Sequence, residues 1–191
     1  MTILRTADPS EASGDIAAIY AEDLESLGYI PEHTRVMALN PEAYRAWESL
    51  SRAIAPGMGK RRYELVTLAA ARGTHSAHCR LAHGARALGL SLFDDQQLER
   101  VARDYREADL TDAEVAMMSF AERVSGDSYA MTDADAEALR HHGFTDREIV
   151  DIALAAAARN YFSRAIQALG VAVDVPPALT PELADALTSG L

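Results

Sequence analysis

Glu64-Leu-Val-Thr-Leu-Ala-Ala-Ala-Arg72-Gly73-Thr74-His75-Ser76-Ala-His78-Cys79-Arg-Leu-Ala-His83-Gly-Ala-Arg-Ala87-Leu-Gly-Leu90 is the stretch on which the fold turns. Apolar spacing reads as helix from Glu64 onward. Arg72-Gly73-Thr74-His75 interrupts that helix. Ser76 then offers an N-cap side chain to a second helix, which runs through Leu88 and ends near Gly89.

The same reading extends over the rest of the chain. Ile16, Ile19, Tyr20, Leu24 and Leu27 keep the i, i+3, i+4 rhythm, and Gly28 is placed to end their helix. Asn40-Pro41-Glu42 sets a cap, a first-turn proline and a first-turn acid ahead of Tyr44, Trp47 and Leu50. Thr111 with Glu114, Thr132 with Asp135, and Thr145 with Glu148 have capping-box spacing. Gly143 and Gly170 sit where helices should end, and His141-His142 suits a helix C-terminus. The alternating run Val171 to Val175 is too short and isolated to found a sheet. The expectation is an all-α fold. Tyr44, Trp47, Met117 and Met118 read as core or subunit-interface packing. Pro176-Pro177 should end the last long helix, leaving 176–191 as a tail that docks on a neighbouring subunit or frays.

At 191 residues, with 49% hydrophobic and 25% charged side chains, the chain reads as one folded domain spanning 1–191. Lysine and arginine total 18 against 29 aspartate and glutamate, a net charge of −11 that disfavours nucleic acid and anionic membrane surfaces as partners. Met1 to Asp8 lacks the apolar stretch of a signal peptide, and Ile152 to Ala158 is far too short for a membrane span. With a single cysteine, no intrachain disulfide is possible, and a cytoplasmic location is expected.

A weak internal repeat links about 60–90 with about 145–171: Glu64 to Arg72 resembles Glu148 to Ala156, and Ala87 to Leu90 resembles Ala168 to Val171. The starts lie 84 residues apart and the ends 81, so three residues differ in between. Chance likeness between alanine-rich helices is the competing explanation. Between these anchors the first copy holds His75, Ser76, His78, Cys79 and His83, whereas the second holds Arg159, Asn160, Tyr161, Ser163 and Arg164.

With Ser76 as N-cap, Cys79 falls at N3, where unpaired N–H groups and the positive end of the dipole favour thiolate. His83, four residues on, shares a helical face with Cys79 and can exchange a proton with it. Glu64 on the preceding helix can orient that imidazole, completing a nucleophile, base and carboxylate set. The plainer readings are a cysteine that fills apolar space, a serine that only caps, and an exposed His78. A zinc reading of His75, His78, Cys79 and His83 is set aside, so neither metal nor cofactor is assigned.

Glu64, eleven intervening residues, Ser76-Ala-His78-Cys79, three more residues, and His83 resemble the alkylhydroperoxidase AhpD and carboxymuconolactone decarboxylase-like superfamily. Leu27-Gly-Tyr-Ile-Pro31, Arg35 to Pro41, and Asn160-Tyr-Phe-x-Arg164 are similar to its longer "peroxidase-related" members. The resemblance implies an all-helical domain of two similar helical hairpins, assembled as homo-trimers or hexamers. It further implies a redox site in which Glu64 and His83 relay a proton from Cys79, beside His78, while a hydroperoxide is reduced at the expense of a thiol. Ser76 stands where the family has its first cysteine. Three functions follow as expectations: an antioxidant peroxidase-type oxidoreductase with one redox cysteine, a lyase acting on a carboxylate or lactone through Glu64 and His83, or a catalytically silent oligomeric binding protein.

Overall fold

The structure, a computed structural model, describes residues 3–191; Met1 and Thr2, the start of the segment read for a leader, lie outside it. Ten α-helices and two short 3-10 turns are present, with no strand among the described residues. They are α1 (Gly14–Leu27), α2 (Glu32–Met37), α3 (Pro41–Met58), α4 (Lys60–Gly73), α5 (Ala77–Gly89), α6 (Asp95–Asp104), α7 (Asp112–Asp127), α8 (Asp133–His141), α9 (Asp146–Ala168) and α10 (Pro181–Thr188). No helix among the described residues is long and apolar enough to cross a membrane.

Local chemistry sets most boundaries. Asn40 accepts a hydrogen bond from the Ala43 amide at 3.0 Å ahead of Pro41, and Gly28 closes α1 at φ 80°. The Thr-led capping boxes form in full at the starts of α7 and α9, and at α8 the Asp135 carboxylate accepts from the Thr132 amide. Helix α4 lies at the centre, packed against α5, α7 and α9. Tyr63 through Ala71 are buried without interruption, as expected of a helix covered on every side. At Gly73 a side chain would collide with the Glu122 carbonyl of α7, so the close approach of these helices requires glycine.

Three expectations change. Residues 176–191 are no loose tail: Thr180 caps α10, Pro181 opens it, and Leu183, Ala186 and Leu187 are buried against α5 and α6 of the same chain. Leu187 seats where a side chain on Gly84 would stand. Pro176-Pro177 does not end α9, which stops at Ala168 with Gly170 at φ 57°. In α1, Ile19 and Tyr20 are buried, whereas Leu24 and Leu27 at the end of the apolar rhythm are exposed.

The two look-alike segments also diverge. Residues 60–90 make two helices, α4 and α5, while 145–171 make one unbroken 23-residue helix, α9, and its caps. Gly73-Thr74-His75, which turn the chain between α4 and α5, have no counterpart after Ala156, so α9 runs straight on.

Candidate active site

The break between α4 and α5 is what positions Cys79. His75 adopts a left-handed φ of 53°, and Ser76 hydrogen-bonds back to the Ala71 carbonyl at 2.8 Å. Ser76 Oγ then accepts from the Cys79 amide at 3.4 Å, placing Cys79 in the first turn of α5. Both side chains are buried.

The hydrogen-bond partners of the sulfur come from α9. Ser163 Oγ donates to Cys79 Sγ at 3.2 Å, and Arg159 Nη1 lies at 3.8 Å. One turn apart on an otherwise alanine-rich helix, these two residues aim their donors at one sulfur. The sequence reading missed both. Their signal was a serine and an arginine at i, i+4 on a buried helical face.

His83 and Glu64 meet as expected. His83 Nδ1 lies 2.6 Å from Glu64 Oε2, and Arg86 Nε holds the other carboxylate oxygen at 3.1 Å. Burial, reinforced by the charge of Arg159, depresses His83 below the ordinary imidazole range despite the pull of Glu64. Burial pushes Glu64 upward, but His83 and then Arg86 and Arg159 outweigh it, and the carboxyl ends below its ordinary value. The pair is therefore a neutral imidazole on a carboxylate. A proton on Nδ1 facing Glu64 leaves the Nε2 lone pair free, the arrangement of a general base. No hydrogen bond joins His83 to Cys79 among the described residues; both line one cleft.

His78 is buried, not exposed, and pairs with a residue that sequence reasoning passed over. His33 Nδ1 on α2 lies 2.6 Å from His78 Nε2, the rings nearly perpendicular, and burial is the main cause that holds both below the imidazole range. His78 Nδ1 has no hydrogen-bond partner. The ligand set weighed from sequence is not gathered, because His75 is exposed at the break. The group with metal-ligand character is instead His33, His78 and Asp174, whose ligating atoms lie within 4.8 Å of one another. Asp174 Oδ2 already accepts from the Glu32 amide at 2.7 Å.

Cys79, His83, His78, His33 and Arg159 line a cleft of about 730 Å³. Trp47, expected as packing, does pack, stacked on Phe162 with centroids 4.2 Å apart and anchored through Nε1 to the Ala158 carbonyl, and it also walls this cleft. Tyr44 is buried beside it, whereas Met117 and Met118 belong to the core, as expected.

No family model and no curated protein matches the sequence. Solved structures do match. An alkylhydroperoxidase AhpD core, an uncharacterized peroxidase-related protein from Ralstonia eutropha JMP134, superposes with a TM-score of 0.78 at 26% identity, covering 98% of this chain and 96% of that one. An uncharacterized peroxidase-related protein from Silicibacter sp. TM1040 gives 0.79 at 29% identity, over 91% and 92%. The chain has the AhpD-like fold. The debrominase Bmp8, solved with 2,3,4-tribromopyrrole, superposes at 0.75 over 98% of this chain and 96% of that one. At 14% identity that likeness is one of fold alone. The AhpD-like fold thus carries more than one chemistry.

Proposed function

We propose that this AhpD-like protein is a one-cysteine thiol peroxidase acting on an organic hydroperoxide. The observation that carries the reading is the buried Cys79 sulfur, held by Ser163 and Arg159 in a cleft that His83 of the Glu64–His83 pair also lines. His83 takes the thiol proton and Glu64 steadies the imidazole. The sulfur attacks the terminal peroxide oxygen and the O–O bond breaks. The departing alkoxide takes the proton from His83 and leaves as alcohol, with Cys79 oxidised to sulfenic acid. Ser76 supplies no resolving sulfur. A small external thiol therefore condenses with the sulfenic acid and releases water; a second such thiol then frees Cys79 and leaves as disulfide. Ser76 and His78 are positioning residues, the first fixing the start of α5 and the second the cleft wall beside the sulfur. The setting proposed is a thiol-rich cytoplasm, and the assembly a homo-trimer or hexamer. Leu24, Leu27, Leu50, Leu154 and Tyr161 are apolar side chains that a single chain leaves exposed.

Stoichiometric cumene hydroperoxide should add one oxygen at Cys79, trapped by dimedone and located by mass spectrometry, and Cys79→Ser should abolish turnover. A Cys79→Ser protein that reduces hydroperoxide as fast as the parent sinks the proposal. The Glu64–His83 contact, which needs no sulfur, favours a second reading as an acid–base lyase on a carboxylate or lactone. There Cys79→Ser is tolerated and His83→Ala is not.

A further inference from the structure

Two arginines are buried among the described residues, and they are satisfied very differently. The Arg80 guanidinium is occupied by the main-chain carbonyls of Ala102, Ala186 and Ser189, which fasten α10 to the body of the fold. Arg159 has no such set. Its Nη1 faces the Cys79 sulfur, its Nε is buried without a partner, and no carboxylate pairs with it among the described residues. Cation–π contacts with Trp47 and Phe162 offset only part of the cost of burying a charge that no carboxylate pairs, so a guanidinium kept in this state on a cleft wall has a reason to be there. Its positive field is felt across the site, where it depresses both His33 and His83. The same field disfavours a cation at the nearby His33, His78 and Asp174 group, and favours an anion.

We propose that the cleft binds an organic monocarboxylate, with the carboxylate on Arg159 and the apolar body against Trp47 and Phe162. The guanidinium stacks over both rings, 5.6 Å from each centroid, and all three side chains line the cleft, so a ligand there meets charge and aromatic surface side by side. A guanidinium fork matches the planar geometry of a carboxylate. A dianion would need a second free cation at the same depth; Arg86 is committed to Glu64, and Arg52 is exposed at the rim. The inference deepens the peroxidase reading and rests on it for the reaction: the substrate class becomes a hydroperoxide that also bears a carboxylate.

Trp47 is the single tryptophan of the chain and lines the cleft, so its fluorescence reports occupancy in the intact protein. The probes are 4-phenylbutyrate and its neutral isostere 4-phenylbutyramide. The carboxylate should perturb Trp47 emission saturably and bind at least about tenfold more tightly than the amide, as one charge-assisted fork predicts. Arg159→Gln should bring the two probes within about twofold of each other, while Arg159→Lys keeps part of the preference. Equal binding of acid and amide by the parent protein overturns the proposal, as does no saturable response to the acid at millimolar concentration. A preference that survives in folded Arg159→Gln overturns it too. The comparison of probes on the parent protein stands even if Arg159→Gln fails to fold. Hydroperoxide turnover without acid preference defeats this inference and spares the thiol reading; acid preference in a protein whose Cys79 never oxidises does the reverse.

Discussion

Segments 60–90 and 145–171 read alike, yet they meet at Cys79 from opposite roles. The first is broken by Gly73-Thr74-His75, and the break turns Cys79 into the start of a helix, with Glu64 and His83 facing each other across the hairpin. The second is unbroken, and continuity is what lines Arg159 and Ser163 up one turn apart toward the sulfur. A turn at Gly73-Thr74-His75 thus separates a segment that carries the titrating groups from one that supplies fixed donors. The reactive side chains of the first segment and the donors of the second converge on one atom.

The matched glutamates give the largest test of that contrast. Glu64→Ala removes a buried carboxylate that holds His83 and Arg86, and breaking a buried pair from one side costs about 3 to 5 kcal/mol. Glu148→Ala removes a partly exposed capping-box partner and an ion pair to Arg62, worth about 1 kcal/mol. Urea unfolding of both variants should show this order. Similar losses would mean that the segments are not specialised.

Acid should act on the first segment and on its partner His33, and not on the second segment. His33, His78 and His83 are held below the imidazole value, so below about pH 6.5 the unfolded chain binds protons that the folded one refuses. Stability is then lost as pH falls through that window, by at most about 1.4 kcal/mol per unit for each ring. Glu64, held low, keeps its own contribution until a lower pH, below the ordinary carboxyl value. His83→Gln should flatten the slope between pH 6.5 and 5.5 by up to one proton, whereas an unchanged slope would show that His83 carries none of it. Arg159 adds to the effect without titrating. Arg159→Gln should raise the His83 midpoint seen by NMR, because it removes the second-largest cause of the depression.

The helical skeleton was legible because its signals are local. Caps at Asn40, Thr111, Thr132 and Thr145 and the glycines at 28, 143 and 170 each act within one turn. The same signal was present at Thr180-Pro181-Glu182 and was passed over because two prolines upstream suggested a loose tail. The Glu64, Cys79 and His83 set was legible because spacing on one hairpin encodes it. Arg159, Ser163 and His33 lie 80, 84 and 45 residues from the partners they meet, contacts that only packing creates. Trp47 was legible as packing but not as a cleft wall, since an aromatic that lines a cleft and one that fills a core share one helical spacing.

The smallest expected effect separates the two buried serines beside Cys79. Ser76 holds the amide of Cys79 and Ser163 holds its sulfur, so one serves the helix and the other the reactive atom. Ser76→Ala should cost about 0.5 to 1 kcal/mol as a lost cap, the low end being apt for a 3.4 Å contact, with little change in the rate at which iodoacetamide alkylates Cys79. Ser163→Ala deletes a donor without deleting a cap, so its stability change should stay within about 1 kcal/mol while alkylation slows several-fold. The order of the two rates decides the matter. If Ser76→Ala slows alkylation more than Ser163→Ala, the chemistry belongs to the broken segment alone, and the donors on α9 are packing.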